Sequence, residues 1–341
     1  MTMPWQADVK TGREMDPSLA VLEGEAAEQG VKQEEPDTGS PVTIWQGVPS
    51  QREEPVTDYY RLPLLKEPVW IWSVPAYFYV GGVAGGTALL AALLHGKRRL
   101  KKLAFWCRAL AFLGSSVGPG LLTWDLGRML RFLYMLRVFR PSSPMSIGSW
   151  SLAGTGMFAT VSLLLGERPL GRPAAIGTAA GGLMLAGYTG VLLGNTANPL
   201  WNERRLTLPV LFTASAMAST AGVLEMMPLN RGEEEVVRKF GIVGKIGEAA
   251  CMVAMERESA VHPEAARGLK EGKGGLLWKS AEVMVTAGIV LSLIPGRVSW
   301  KRRLSGALTT VGAVCLRYAL LESGKHAARE PRALIESQRA K

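Results

Sequence analysis

From about residue 69 onward the chain alternates long apolar runs with short polar turns, and the lengths of those runs set the architecture. Val69 to Leu94 contains no charged residue. At 1.5 Å of rise per residue it is long enough to cross a hydrocarbon core as one helix. The pattern predicts eight spans, over residues 70–94, 103–124, 146–165, 173–194, 206–227, 238–256, 276–295 and 302–321. The sixth is the weakest, because Glu248 and Glu256 interrupt it. Short loops bearing Gly and Pro separate the others, which suits antiparallel neighbours. The expected fold is an all-α polytopic membrane protein, a bundle of about eight transmembrane helices.

The first 60 or so residues follow no such pattern. They are rich in Glu, Gly, Pro and Ser, with few large apolar residues before Ile44-Trp45. This composition predicts a mostly disordered acidic tail. Tyr59-Tyr60-Arg61-Leu62-Pro63 and Lys66-Glu67-Pro68 lead from it toward the membrane. The chain therefore divides into an N-terminal tail over 1–68, an eight-helix domain over 69–323 and a C-terminal tail over 324–341. Met1 to Ala20 lacks the basic start and apolar core of a secretory signal.

Charge changes the picture little. The net charge of +10 comes largely from loop clusters, Lys97-Arg98-Arg99 with Lys101-Lys102 and Arg297 with Lys301-Arg302-Arg303. Such clusters are topogenic signals at helix ends, so no nucleic-acid partner is expected. They lie on the side opposite the tail, which places both termini outside the cytoplasm. Arg128, Arg131, Arg137 and Arg140, on the tail's side, vote the other way. The cysteines, Cys107, Cys251 and Cys315, are isolated in apolar segments, and the histidines, His95, His262 and His326, fall at segment ends. Neither set builds an iron–sulfur, zinc or haem site, so no bound metal or haem is expected. Gly81-Gly82 and Gly85-Gly86 put small residues four apart on one helix, as do Gly177, Gly181 and Gly182. That spacing favours close helix packing, not a phosphate loop.

Threading the spans brings polar residues together in the leaflet on the tail's side. Tyr77 lies roughly 10 Å below Trp70. Asp125 and Arg128 close the second span, Tyr188 stands about two turns before Asn195, and Glu282 falls at a depth similar to Tyr77. Arg317, Tyr318 and Glu322 end the last span there. The opposite leaflet is poorer, with Glu225 as its main candidate. Asp125 and Arg128, three apart, are helix neighbours. They form either a salt bridge capping the second span or a charge pair at the mouth of a cavity, and the two roles are compatible. Tyr77 and Tyr188 are either interfacial belt residues or hydrogen-bond partners of a ligand with carbonyl oxygens. Glu248 is either a proton-relay group or one half of a helix–helix hydrogen bond.

These residues carry a resemblance. Pro75-Ala76-Tyr77-Phe78-Tyr79-Val80-Gly81-Gly82-Val83-Ala84-Gly85-Gly86 resembles the first-helix signature of the NrfD/polysulphide-reductase membrane-subunit (PsrC-like) family. Asp125-Leu126-Gly127-Arg128, with Arg131-Phe132 and Pro141-Ser142-Ser143-Pro144-Met145-Ser146, resembles its second loop. Tyr188-Thr189-Gly190 running to Asn198-Pro199-Leu200-Trp201-Asn202, and Leu316-Arg317-Tyr318 with Glu322-Ser323-Gly324, extend the match over nearly everything after the tail. The resemblance implies an eight-helix integral subunit, without a metal or haem of its own, in the cell's inner (plasma) membrane. Such a subunit passes electrons between the quinone pool (menaquinone or ubiquinone) and a ferredoxin-like iron–sulfur partner, often with a molybdopterin catalytic subunit.

By motif the family's quinone pocket falls on Tyr77, Asp125 and Tyr188, with Arg128 organising Asp125. Asp125 and Tyr188 are the expected catalytic pair, and Glu248 or Glu282 would extend a proton route. Where some members carry an amide residue shortly before a His at the position of Tyr77, this chain reads Ser73-Val74-Pro75. Arg131, Arg137 and Arg140 read as contacts to a partner or to lipid. The alternative from a different class is a transporter or ion-translocating protein without a redox role, which Glu225, Glu248 and Glu282 would serve as well. A third is an anchor that holds enzymes at the membrane without touching quinone.

Overall fold

The computed structural model describes residues 15–16, 21–22, 65–126, 133–261, 263–294 and 298–339. The chain separates into two compact units, Met1–Thr57 and Asp58–Lys341. In the first, strands β1 (Met15–Asp16) and β2 (Val21–Leu22) pair antiparallel, Met15 opposite Leu22 and Asp16 opposite Val21. The rest of the expected tail, up to residue 64, lies outside the described residues.

The second unit is helical. Its long helices are α1 (Ser73–Leu94), α2 (Lys101–Leu126), α3 (Pro144–Leu165), α4 (Gly171–Gly194), α6 (Thr207–Met226), α7 (Arg231–Val261), α9 (Gly272–Leu293) and α10 (Ser299–Arg329). Short helices α5 (Pro199–Glu203), α8 (Pro263–Lys270) and α11 (Pro331–Arg339) intervene. Each long helix falls on one of the eight expected spans. Six are long and apolar enough to cross a membrane by length and composition; α2 and α7 are not among them. The reason is charge inside the helix, since α2 carries Arg108 and α7 carries Lys245 and Glu248, all buried. The last helix runs eight residues past the expected limit of 321, to Arg329, and Pro331–Arg339 is helical as well.

Local chemistry explains the boundaries. Pro144 and Pro199 sit in the first turns of α3 and α5, where a missing N–H costs nothing. Ser143 and Asn198 cap those helices, the Asn198 Oδ1 accepting from the Leu200 N–H at 3.1 Å. Gly96 and Gly166, at φ of 79° and 57°, turn the chain just after α1 and α3.

The eight long helices form two rings of four. In the first, α1 packs on α2 and α4, and α3 closes the ring between those two. In the second, α6 packs on α7 and α10, and α9 closes it. The rings join where α1 and α4 meet α6 and where α1 meets α10. Small residues allow α1 and α4 to touch: a Cβ on Gly85 would stand 2.2 Å from the carbonyl oxygen of Gly182.

Successive long helices run antiparallel. The face where α1 begins is called near, and the other far. On the near face the Ile71 N–H donates to Asp125 Oδ1 at 3.3 Å, joining the start of α1 to the end of α2. There too the Asn198 side chain donates to the Gly324 carbonyl at 2.7 Å, and the Trp201 indole donates to the Leu320 carbonyl at 3.1 Å. Trp70 stacks on Trp201 with ring centroids 5.7 Å apart. On the far face Arg302 donates to the carbonyls of Glu225 and Met227, tying α10 to the end of α6. Large apolar side chains such as Leu164, Leu276 and Val283 project outward, as a lipid-facing exterior requires.

Candidate functional site

The first ring encloses a pair of phenols. Tyr77 on α1 and Tyr188 on α4 are both buried, and they lie close enough to interact electrostatically. The Tyr77 ring passes Gly118 of α2, where a Cβ would stand 3.3 Å away. The Tyr188 ring lies against Gly148 of α3, where a Cβ would stand 2.0 Å from it. Any side chain at residue 148 would therefore displace this tyrosine. All four helices of the ring thus shape the space around the two rings. Among the described residues neither hydroxyl has a hydrogen-bond partner. Buried phenols ordinarily find a hydrogen-bond partner, which leaves these two with unused donors.

Asp125 is half-buried, seven residues beyond Gly118 on α2. Two turns of helix, about 10 Å, separate it from the level of Tyr77 and carry it toward the near face. Its hydrogen bond to the Ile71 N–H places it beside the start of the tyrosine-bearing helix. Arg128 and Arg131 lie outside the described residues, so the Asp125–Arg128 pairing does too. Arg137 and Arg140 are exposed on the link between α2 and α3.

The expected proton-route residues are elsewhere and apart from each other. Glu248 of α7 is fully buried in the second ring. Its Oε1 accepts from Ser215 of α6 at 2.5 Å, and the Ser215 oxygen accepts from Nη1 of Arg317 of α10, also at 2.5 Å. Glu282 of α9 is half-buried on the outer side of the same ring. Trp278 Nε1 donates to its Oε1 at 2.9 Å and to Glu256 Oε1 at 3.5 Å. Glu282 thus faces Glu256 and Trp278, whereas the phenols lie in the first ring.

The far half of the second ring is richer than the sequence pattern indicated. Lys245 Nζ donates to both carboxylate oxygens of Glu225, at 3.2 and 3.3 Å, to Ser292 Oγ at 2.8 Å and to Ser305 Oγ at 2.9 Å. Every polar hydrogen of the ammonium is used, which is what lets a lysine lie buried in a membrane protein. Beside it a cavity of ≈ 260 Å³ is lined by Glu225, Ser292, Ser305, Arg302 and Glu234 among others. The signal for Lys245 was present in the sequence: a lysine inside the expected span 238–256, one turn before Glu248.

Among the described residues the first ring has one charged clasp, at its far end. Buried Arg108 pairs with Glu167 of the α3–α4 link, whose other oxygen accepts from the Gly96 N–H at 2.7 Å. Burial alone would raise the Glu167 carboxyl, but the Arg108 hydrogen bond, the Gly96 N–H and the Arg108 charge together hold it below its ordinary value.

A family model described as polysulfide reductase, of the NrfD type, matches residues 56–330. The chain belongs to this family. The match takes in both rings and the near-face helices α5 and α8, so family membership and the apolar helices agree on a multi-pass membrane protein. Membrane subunits of this NrfD family interact with quinones, which gives the two free phenols a class of ligand to be weighed. No curated protein matches the chain. Among the described residues no group of three or more His, Cys, Asp or Glu side chains is placed to hold a metal ion.

Proposed function

We propose that this chain is the quinone-reactive integral subunit of a multi-subunit respiratory oxidoreductase in the cell's inner membrane. It exchanges electrons between the quinone pool, menaquinone or ubiquinone, and a ferredoxin-like iron–sulfur subunit, with a molybdopterin catalytic subunit beyond. The observation that carries the reading is the neighbouring pair Tyr77 and Tyr188, buried, without a hydrogen-bond partner among the described residues, and walled by four helices. Two phenol O–H groups suit the two carbonyl oxygens of a quinone ring, each donating one hydrogen bond. Reduction adds two electrons from the partner and one proton to each oxygen. Asp125, about 10 Å nearer the near face, exchanges protons on that side, with Arg128 as its organiser. Glu248 and Glu282 are the inner carboxylates available to a longer route.

The test assembles the complex with Asp125→Asn and, separately, Tyr188→Phe, then follows electron flow to a quinone analogue. Both variants should assemble and turn over more slowly. Wild-type rates in both would show that the site lies elsewhere. The rival reading, a transporter without redox chemistry, draws on the buried Lys245–Glu225 pair and on Glu248. Purification from native membranes separates the two: an iron–sulfur subunit that copurifies supports the redox reading, and a lone chain with substrate-dependent flux supports the transporter.

A further inference from the structure

The second ring holds a row of charges that the phenol pocket does not use. Glu225 ends α6 at the far face, Lys245 and Glu248 lie one turn apart on α7, and Arg317 is on α10. All four are buried. Ser215, which links Glu248 to Arg317, precedes Glu225 by ten residues on α6, so the row runs about 15 Å inward from the far face. Lys245 and Glu248 are within electrostatic reach of each other. The outer end meets the ≈ 260 Å³ cavity, where Arg302 pairs with Glu234 at 3.5 Å. The inner end meets α1: the Arg317 guanidinium lies 5.9 Å from the centroid of the Tyr79 ring and 5.4 Å from that of Phe212. Tyr79 follows Tyr77 by two residues. Gly82 leaves room for the guanidinium, since a Cβ there would stand 3.4 Å from Nη2.

A purely structural row would satisfy its own polar atoms. Here Glu248 Oε2 and the Nε and Nη2 of Arg317 are buried without a partner among the described residues. Charged atoms left so are costly, and ordered water is the usual remedy. Serine hydroxyls lie against these charges, Ser292 and Ser305 at Lys245 and Ser215 between Glu248 and Arg317. A hydroxyl donates and accepts at once, so it passes a proton along a hydrogen-bonded row.

We propose that Glu225, Lys245 and Glu248 form a proton wire from the far-face cavity toward α1, with Arg317 as the fixed cation at its inner end, serving the tyrosine pocket from the side opposite Asp125. The inference rests on the quinone reading for what consumes the protons. Each quinone reduced would take two electrons from the partner, one proton by way of Asp125 and one through the wire; quinol oxidation would run all of these in reverse. Proton exchange would then move charge across part of the membrane.

Two measurements test it. In the first, the assembled complex is placed in phosphatidylethanolamine/phosphatidylglycerol vesicles with the far face inward and a pH dye trapped within, and a quinone analogue is turned over. The expected result is about one proton exchanged with the lumen per two electrons. The charge-neutral double variant Glu225→Gln/Lys245→Met, which leaves no unpaired charge, should bring that ratio toward zero while the phenol pocket still binds the analogue. A pH change confined to the outer solution, or a lumenal change undiminished in the double variant, overturns the wire. In the second, the full chain alone in the same vesicles is followed by infrared spectroscopy after a pH jump on the far side. A carboxyl band that is missing in Glu248→Gln should respond, and should be silent in the double variant. A response to near-side pH alone, or one unchanged in the double variant, also overturns it. If the complex exchanges no electrons with the analogue, the quinone reading fails, and the infrared arm still decides the wire.

Discussion

The two rings are alike in helix number and opposite in chemistry. The first is built on glycine and tyrosine: Gly118 and Gly148 make room for the rings of Tyr77 and Tyr188. Its one charged clasp, Arg108 with Glu167, sits at the far-face rim. The second is built on charge: Lys245, Glu225, Glu248 and Arg317 lie in its interior on serine hydroxyls. An uncharged lining with two phenols suits a neutral, flat ligand. A buried row of charges and hydroxyls suits a fixed path along which a proton moves. The division of labour proposed above follows from this contrast, and α1 is where the two meet, with Tyr77 in one ring and Tyr79 beside Arg317 in the other.

The contrast breaks most sharply at Lys245. Replacing it by Met leaves Glu225 buried with its principal charge partner gone, at a cost of about 3–5 kcal/mol. Denaturant or thermal unfolding in detergent should show that loss. The double variant Glu225→Gln/Lys245→Met should recover most of it, because two neutral side chains of similar size leave no charge unpaired. Equal instability of the single and double variants would mean the pair is not what the ring rests on.

In the first ring the same size of insult falls on activity. Gly148→Ala puts a methyl group where the Tyr188 ring lies. A displacement of that order costs roughly 100-fold in a positioned reaction, read as quinone-linked turnover of the assembled complex. Tyr188→Phe keeps the ring and removes only the hydroxyl. Losing one hydrogen bond of about 0.5–1.5 kcal/mol predicts a slowing of up to roughly tenfold. If Tyr188→Phe is as damaging as Gly148→Ala, the phenol acts on protons and does more than orient the ligand.

Much of the first ring was legible in the sequence, because its signals are local. Tyr77 and Tyr188 stand out as polar groups inside apolar runs, and the Gly81-Gly82 and Gly85-Gly86 spacing announces close packing. The second ring was less so. Glu248 was visible as an anomaly, but its partners Ser215 and Arg317 are on other helices, 33 and 69 residues away in sequence. Lys245 weakened the very span that it helps to build: the pair it makes with Glu225 cancels a charge that hydropathy counts in full. Glu282 shows the converse error. Depth along a helix does not fix which side of the helix a residue is on, and this carboxylate faces Glu256 and Trp278.

The smallest expected effect is at the far-face clasp of the first ring. Glu167 is held below its ordinary value, so its ionised form is favoured by the native state. The contribution is complete above the unfolded carboxylate value of about 4.3 and disappears as pH falls through the lower native value. Glu167→Gln cannot titrate there. At neutral pH the variant should be less stable than the parent by no more than about 1 kcal/mol, since Glu167 is partly exposed and solvent screens the pair. The gap should hold from neutral pH down to about 5 and then narrow in more acid solution as the parent carboxylate protonates. Unfolding midpoints taken across that range would show it. A gap that instead widens toward acid would mean the Gln amide leaves Arg108 worse placed than a protonated Glu does, and that the clasp works through geometry more than charge.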